Sequence, residues 1–266
     1  MKIGIIGFGY VGSAIAWAHR HHDLVIRDPK MSDSAELDKF TSCDGIYVCV
    51  PSPPVDPTLE DGHCDTSILE QTLKELMFVN ISKQIPIICK TTAPPSVYAQ
   101  LQEEYPNIVY CPEFLTAANN ITDYANAEYF VFGGAHEWCT KARDIVREGV
   151  PMVEEKLLLT DIKTAALYKY MMNSYLATKV TFMNDFKLLA DAEGVVWNNL
   201  KSLAIMDDRI GYTHMDVPGP DSQYGWGGGC FPKDVAAIIE EAIDHDLDFE
   251  LLQRVESINK THRKLS

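Results

Sequence analysis

The sequence predicts an α/β fold, a doubly wound parallel sheet followed by a mainly helical domain with one long central helix. Three observations predict it. Short β-rich runs alternate with helical stretches through the first half of the chain, as in a parallel sheet covered by helices. A glycine-rich turn joins the first strand to the first helix. A helical pattern without glycine or proline then runs over residues 161–193.

The elements follow in order. Residues 2–6 and 24–27 are apolar, β-rich runs on either side of a helical stretch, 11–20. A second helix is expected over 34–40 and a third strand over 45–50, after which Pro51, Pro53, Pro54 and Pro57 make a rigid loop. Helix 66–79, strand 85–90 with Pro94 and Pro95 behind it, helix 97–105 and strand 108–111 continue the alternation. Strand 129–132 and helix 137–148 complete it. The pattern then changes, and the domain cut falls near residue 155: residues 1–155 form the sheet domain and 156–266 the helical one. The second half holds helix 161–193, a shorter helix over 197–206, a Gly- and Pro-rich loop over 217–232 and a last helical region over 234–264 with a break near Asp246. A helix as long as 161–193 needs a partner for its apolar face, which predicts a homodimer through it.

A chain of 266 residues buries a sizeable core. Its net charge of −15 argues against general binding to nucleic acid or to an anionic membrane, because both require a positive field. An anionic substrate would have to be held by local lysines and arginines. No apolar run approaches a membrane span, and MKIGIIGFGYVG does not read as a signal peptide, so the protein is expected in the cytoplasm. Seven cysteines stand singly, without metal-ligand spacing, as free thiols of a reducing compartment. Cys49, Cys89 and Cys111 lie in strand-like runs as small core side chains, whereas Cys230 sits among glycines.

Gly7-Phe8-Gly9-Tyr10-Val11-Gly12 is a complete GxGxxG between a strand and a helix, with an acid, Asp28, ending the next strand. Gly7 permits the tight turn, Gly9 the approach of a pyrophosphate, and Gly12 close helix–strand packing. Tyr10 and Val11 open the helix whose free N–H groups and positive dipole end face the phosphates. Asp28 would accept hydrogen bonds from the adenosine ribose and repel a 2′-phosphate. The unit is therefore a Rossmann-type site for NAD rather than NADP. Alternation along the strand should turn Arg27 to the opposite face.

Gly225-Trp226-Gly227-Gly228-Gly229-Cys230-Phe231-Pro232-Lys233-Asp234 resembles the GFGGxCFPKD segment of the UDP-glucose/GDP-mannose dehydrogenases. Other segments agree in the same order. Val48-Cys49-Val50-Pro51-Ser52-Pro53-Pro54 is similar to the family's CVPTP strand end, and Asp61-Gly62 with Cys64-Asp65-Thr66-Ser67 to its DGxxDxS turn. Lys90-Thr91-Thr92-Ala93-Pro94-Pro95 resembles KSTVPPG, Pro112-Glu113-Phe114-Leu115 resembles PEFL, and residues 169–179 are similar to the central-helix motif.

The resemblance implies NAD-dependent oxidation of a sugar primary alcohol, as in a nucleotide sugar, to the carboxylate. Cys230 would hold the aldehyde as a thiohemiacetal and then a thioester. Lys169 and Asn173, four apart on a helix, would donate to the developing oxyanion. Asp234 and Glu113 would serve in acid–base work or water positioning. Pro51, Ser52 and Thr92 would line the cofactor side, and Phe114, Leu115, Gly227 and Lys233 the substrate side. Arg209, in Asp208-Arg209-Ile210-Gly211, would pair with a substrate phosphate.

The sequence departs from the family at three places. Ala117 stands where a second glutamate is expected, the stretch from Asp28 to Cys43 is short, and a third, nucleotide-clamping domain has no counterpart. A clamp domain on a separate subunit is one reading of the last point; a fragment, or a substrate needing no such clamp, are the others. Two other functions stay open: an NAD-binding subunit without chemistry of its own, and a β-hydroxyacid-type dehydrogenase, which needs no cysteine.

Overall fold

The computed structural model describes residues 1–55, 64–81, 84–116, 118–150 and 156–265. Two compact units divide the chain: Met1–Pro53 with Cys64–Lys169 form the first, and the second is built on Tyr170–Ser266.

The first unit is a seven-stranded sheet. Its strands are β1 (Lys2–Ile6), β2 (Asp23–Arg27), β3 (Gly45–Val48), β4 (Ile87–Cys89), β5 (Ile108–Tyr110), β6 (Phe130–Gly133) and β7 (Leu157–Thr160), in spatial order 2-1-3-4-5-6-7. Strands β1 and β3 to β6 are almost entirely buried, as strands covered on both faces must be, so they read as continuous apolar runs. The helices are α1 (Tyr10–Ala18), α2 (Ser67–Phe78), α3 (Pro95–Glu104), α4 (Asn120–Ala125) and α5 (His136–Gly149). Pro95 opens α3, where its missing N–H costs no hydrogen bond. One apolar layer gathers Phe40, Leu69, Leu73, Tyr98 and Tyr110, and a second gathers Ile3, Ile15, Tyr47, Phe132 and Val146.

Three features depart from the sequence reading. The helix expected over 34–40 is a 3-10 turn at Leu37–Ser42. The Ala35 N–H is bonded to the Ile26 carbonyl and the Ser34 hydroxyl accepts the Asp28 N–H, so the chain stays extended past Ala35 and too little remains for a helix. The sheet is not wholly parallel, because β6 runs antiparallel to β5. Strand β7 and helix α4 were not expected: Leu157–Thr160 is too short to show a period, and a six-residue helix shows barely more.

In the second unit the long helix α6 (Ile162–Ala192), which starts within the first, is followed by α7 (Trp197–Ala204), α8 (Phe231–Ile243) and α9 (Glu250–His262). The expected break near Asp246 lies between α8 and α9. Ala177, Trp226, Val235, Ile239 and Val255 form one core cluster of this unit. Met183, Ala190, Trp197, Met215 and Val217 form another. No helix among the described residues is long and apolar enough to cross a membrane.

Candidate active site

In the order 2-1-3 the connections leave β1 and β3 in opposite directions, which opens a crevice at their carboxyl ends. The glycine turn lies there. Gly7 has φ +91°, and a Cβ on it would come within 2.6 Å of the Cys49 carbonyl oxygen, on the segment leaving β3. A Cβ on Gly12 would overlap the Gly7 carbonyl oxygen, so this glycine lets α1 press onto the turn. Gly9 differs: a Cβ there meets nothing within 4 Å. Two of the glycines are thus required by the fold, and the third keeps a space free beside the start of α1. Tyr10 is exposed and Val11 half-buried there. This turn fits a dinucleotide's pyrophosphate.

Asp28 follows β2 and accepts the Phe8 N–H at 2.7 Å and the Lys30 N–H at 2.8 Å. The Phe8 bond first, and then the Lys30 bond, hold its carboxyl below the usual carboxylate range, so it is ionised at neutral pH. Arg27 donates to the Ala35 carbonyl. Across the crevice Ser52 donates to the Thr92 carbonyl at 2.7 Å, tying the ends of β3 and β4; both residues are buried, and Pro51 is exposed. Asp61, Gly62, Pro57 and Ala117 lie outside the described residues.

Glu113 follows β5. Its carboxylate accepts the Leu115 N–H at 2.7 Å, and its carbonyl accepts the Lys169 ammonium, which also lies 3.7 Å from the Glu113 Oε1. Lys169 is only 4 % exposed and sits 4.8 Å above the Phe114 ring. Phe114 packs against Tyr129 and Tyr168, whose hydroxyls are bonded at 2.7 Å. The preceding carbonyl, of Pro112, is held by a second buried ammonium, Lys90, at 3.2 Å; Lys90 also meets the Cys111 sulfur at 3.3 Å. Sequence reading passed over Lys90, whose only signal is a lysine ending an apolar strand.

In the second unit Cys230 precedes α8 and is exposed. Asp234, in the first turn of α8, is 1 % exposed. Its two oxygens are taken by the Asn173 amide and the Lys233 ammonium, each at 2.5 Å. Asn173 lies one helical turn beyond Lys169 on α6. Three of the other thiols are far from that setting: burial pushes Cys49 and Cys139 up to about 12 and Cys89 higher still, where a thiolate does not form. Cys230 stands instead on an exposed loop at a helix start, the setting of a nucleophile. Gly227 lies in that loop; a Cβ on it would be 2.9 Å from the Arg263 guanidinium. Arg209 is turned to solvent and bonded to Asp207, two residues away. Among the described residues no cluster of three His, Cys, Asp or Glu side chains is placed to hold a metal ion.

Comparisons with known proteins show the family and the fold. The family model described as "UDP-glucose/GDP-mannose dehydrogenase family, NAD binding domain" matches residues 27–148, and the one described as the central domain of the same family matches 163–261. The UDP-glucose 6-dehydrogenase of Rickettsia bellii (strain RML369-C) is 27% identical over 308 residues, covering 100% of this chain and 68% of that protein. The enzyme of the same name from Rickettsia felis (strain ATCC VR-1525 / URRWXCal2) is 28% identical over 303 residues, covering 98% and 65%. A solved structure of a UDP-glucose dehydrogenase from the hyperthermophilic archaeon Pyrobaculum islandicum shares the fold, with TM-score 0.79, 23% identity, and coverage of 98% of this chain and 68% of that one. The chain thus spans about two thirds of the length of these relatives.

Proposed function

The chain belongs to the UDP-glucose/GDP-mannose dehydrogenase family, NAD-dependent enzymes acting on a CH–OH group, and on that premise we propose that it oxidises the primary alcohol of a nucleotide sugar, such as UDP-glucose or GDP-mannose, to the carboxylate through Cys230. The observation that carries this reading is the cluster at the start of α8, where an exposed thiol precedes a buried carboxylate whose two oxygens are already engaged.

The glycine turn would hold NAD, with Asp28 on its adenosine ribose and Pro51, Ser52 and Thr92 beside it at the ends of β3 and β4, and NAD would supply the hydride acceptor for both oxidations. Phe114, Leu115, Gly227 and Lys233 border the substrate, and Arg209 exchanges Asp207 for a substrate phosphate. The Cys230 thiolate adds to the aldehyde carbon and keeps it on sulfur until it reaches the thioester level. Lys169 and Asn173 donate to the oxygen that gathers negative charge in each tetrahedral species. Water then adds to the thioester carbon, and the C–S bond breaks. The sulfur leaves as thiolate, the carbon leaves as carboxylate, and the protons pass to Asp234 and Glu113. With Ala117 at the place of the family's second glutamate, Glu113 carries the water-positioning work from its own loop.

The exposed face of α6 carries Leu167, Met171, Tyr175, Phe182, Phe186 and Leu189, at spacings of three, four and seven residues that keep them on one side of the helix, and a second copy of the chain would cover it. Sedimentation showing only monomer at micromolar concentration refutes the dimer. For the reaction, purified protein is incubated with NAD and each nucleotide sugar while NADH formation is followed. The expected result is two NADH per sugar consumed, abolished in Cys230→Ser. Absence of NADH with every nucleotide sugar, or a Cys230→Ser variant as active as wild type, overturns the covalent reading. Full activity of Cys230→Ala on a small hydroxy acid selects a β-hydroxyacid-type enzyme instead.

A further inference from the structure

Given the reading of Cys230 as the nucleophile, we propose that α9 is a latch on the catalytic loop, with Asn259 and Arg263 as positioning residues for that cysteine.

The loop before Cys230 is rich in groups that need a support. Gly225 and Gly228 have φ of +70° and +77°, and Gly227 to Gly229 carry no side chain to anchor them. Two backbone anchors fix this run. On the far side Cys230 caps α8, its carbonyl accepting the Asp234 N–H at 2.9 Å. On the near side the anchor is a side chain. The Asn259 amide, 6 % exposed, accepts the Trp226 N–H at 2.7 Å and donates to the Trp226 carbonyl at 2.9 Å. It pairs both backbone groups of one residue, as a neighbouring strand would. A single amide side chain has the donor and the acceptor that this requires; a carboxylate or a hydrophobe of similar size lacks one or both.

Further contacts make the arrangement specific. A Cβ on Gly225 would overlap the Asn259 side-chain oxygen, so the positive-φ glycine leaves the space that the asparagine fills. The Arg263 guanidinium bonds Asp221 at 2.6 Å, reaches the Tyr224 carbonyl at 3.4 Å and lies under Gly227. Residues 259 and 263 are one turn apart, so one face of α9 and its C-terminal cap meets the loop from Asp221 to Gly227. Helix α6 supports the same segment: Asn184 accepts the Gly225 N–H at 2.8 Å, and Thr181 accepts the Trp226 indole N–H at 2.9 Å.

Three glycines separate Trp226 from Cys230, so the path by which the chain enters Cys230 depends on how Trp226 is held. Loss of the near anchor lets the thiol drift from the start of α8, where free N–H groups favour the thiolate. The measurement is the rate of Cys230 alkylation by iodoacetamide against pH in the full chain, read by mass spectrometry of the Cys230 peptide. Wild type is expected to react with a midpoint below the value of about 8.5 for an unperturbed thiol. Asn259→Ala is expected to move the midpoint upward and to lower kcat about ten- to a hundredfold, with the KM for NAD unchanged. Asp221→Asn, a surface change that cuts the Arg263 ion pair, should move it the same way by less. Glu256→Gln, elsewhere on α9, should leave it in place.

A folded Asn259→Ala protein with the wild-type alkylation profile overturns the latch. If Asn259→Ala does not fold, an unmoved profile in Asp221→Asn overturns it. Persistence of activity in Cys230→Ser would remove the covalent reading alone, since the alkylation profile does not depend on turnover.

Discussion

Gly9 and Gly12 stand three residues apart in one motif, yet the structure predicts opposite consequences for the same substitution. A Cβ on Gly9 meets nothing within 4 Å, and its φ of −79° suits an L residue. Gly9→Ala should therefore leave the fold intact, or stabilise it by about 0.4–1 kcal/mol through the loss of unfolded-state freedom. The added methyl fills the space left for a pyrophosphate, and an overpacked contact costs about 1–3 kcal/mol. The NAD Kd should rise about tenfold or more, since a factor of ten corresponds to about 1.4 kcal/mol.

Gly12 lies inside α1, where helix propensity alone would make alanine the better residue by about 1 kcal/mol. Its Cβ would overlap the Gly7 carbonyl oxygen and lie 3.0 Å from the Gly7 carbonyl carbon, which is backbone and cannot rotate away. The overpacking cost exceeds the propensity gain, so Gly12→Ala should destabilise. At about 2–4 °C per kcal/mol for a chain of this size, the loss appears as a lowered Tm of several degrees. Thermal melts and NADH fluorescence titration separate the two effects. Wild-type NAD affinity in Gly9→Ala, or a wild-type melt in Gly12→Ala, would refute the division of roles.

Further tests bear on other parts of the chain. Burial holds the His19 imidazole at about 4, against 6.5 for an ordinary histidine, while its Nε2 faces the Tyr47 hydroxyl at 3.0 Å. The unfolded chain takes up this proton first, so stability is full above the ordinary value and declines by about 3 kcal/mol as pH falls toward the folded one. Urea midpoints at about pH 7 and about pH 4.5 should converge more closely in His19→Leu than in wild type; equal drops refute the assignment. Asp28→Ser should weaken NAD and strengthen NADP, because it removes both the ribose acceptor and the charge opposing a 2′-phosphate; parallel titrations check this, and an unchanged ratio refutes it. Asn173→Ala removes a donor from buried Asp234 and should cost about 1–3 kcal/mol, read as a lowered Tm, with a loss of kcat. An unchanged melt would show that Asp234 is otherwise satisfied.

Much of the first unit could be read directly from the chain. Strands β1 and β3 to β6 are buried on both faces, so each appears as an apolar run, and the glycine turn is marked because its needs are local. Helices α1, α2, α3 and α5 kept their places within a few residues. The turn at Leu37–Ser42 was misread because the hydrogen bonds that keep residues 34 and 35 extended come from β2 and from Asp28 just after it, and a helical pattern does not record them. The antiparallel step between β5 and β6 was equally hidden, since an apolar run carries no sign of its direction.

By itself, the sequence determined the order of the elements long enough to show a period, the dinucleotide turn with its acid, and the singular position of Cys230, because each follows from residues close together in the chain. The tertiary structure decided what supports them. Gly7 answers to Cys49, Pro112 and Glu113 to Lys90 and Lys169, and Trp226 to Asn259. These partners lie tens of residues apart. A buried lysine or asparagine looks like any surface one until the fold removes its water and leaves a specific carbonyl or N–H as its partner.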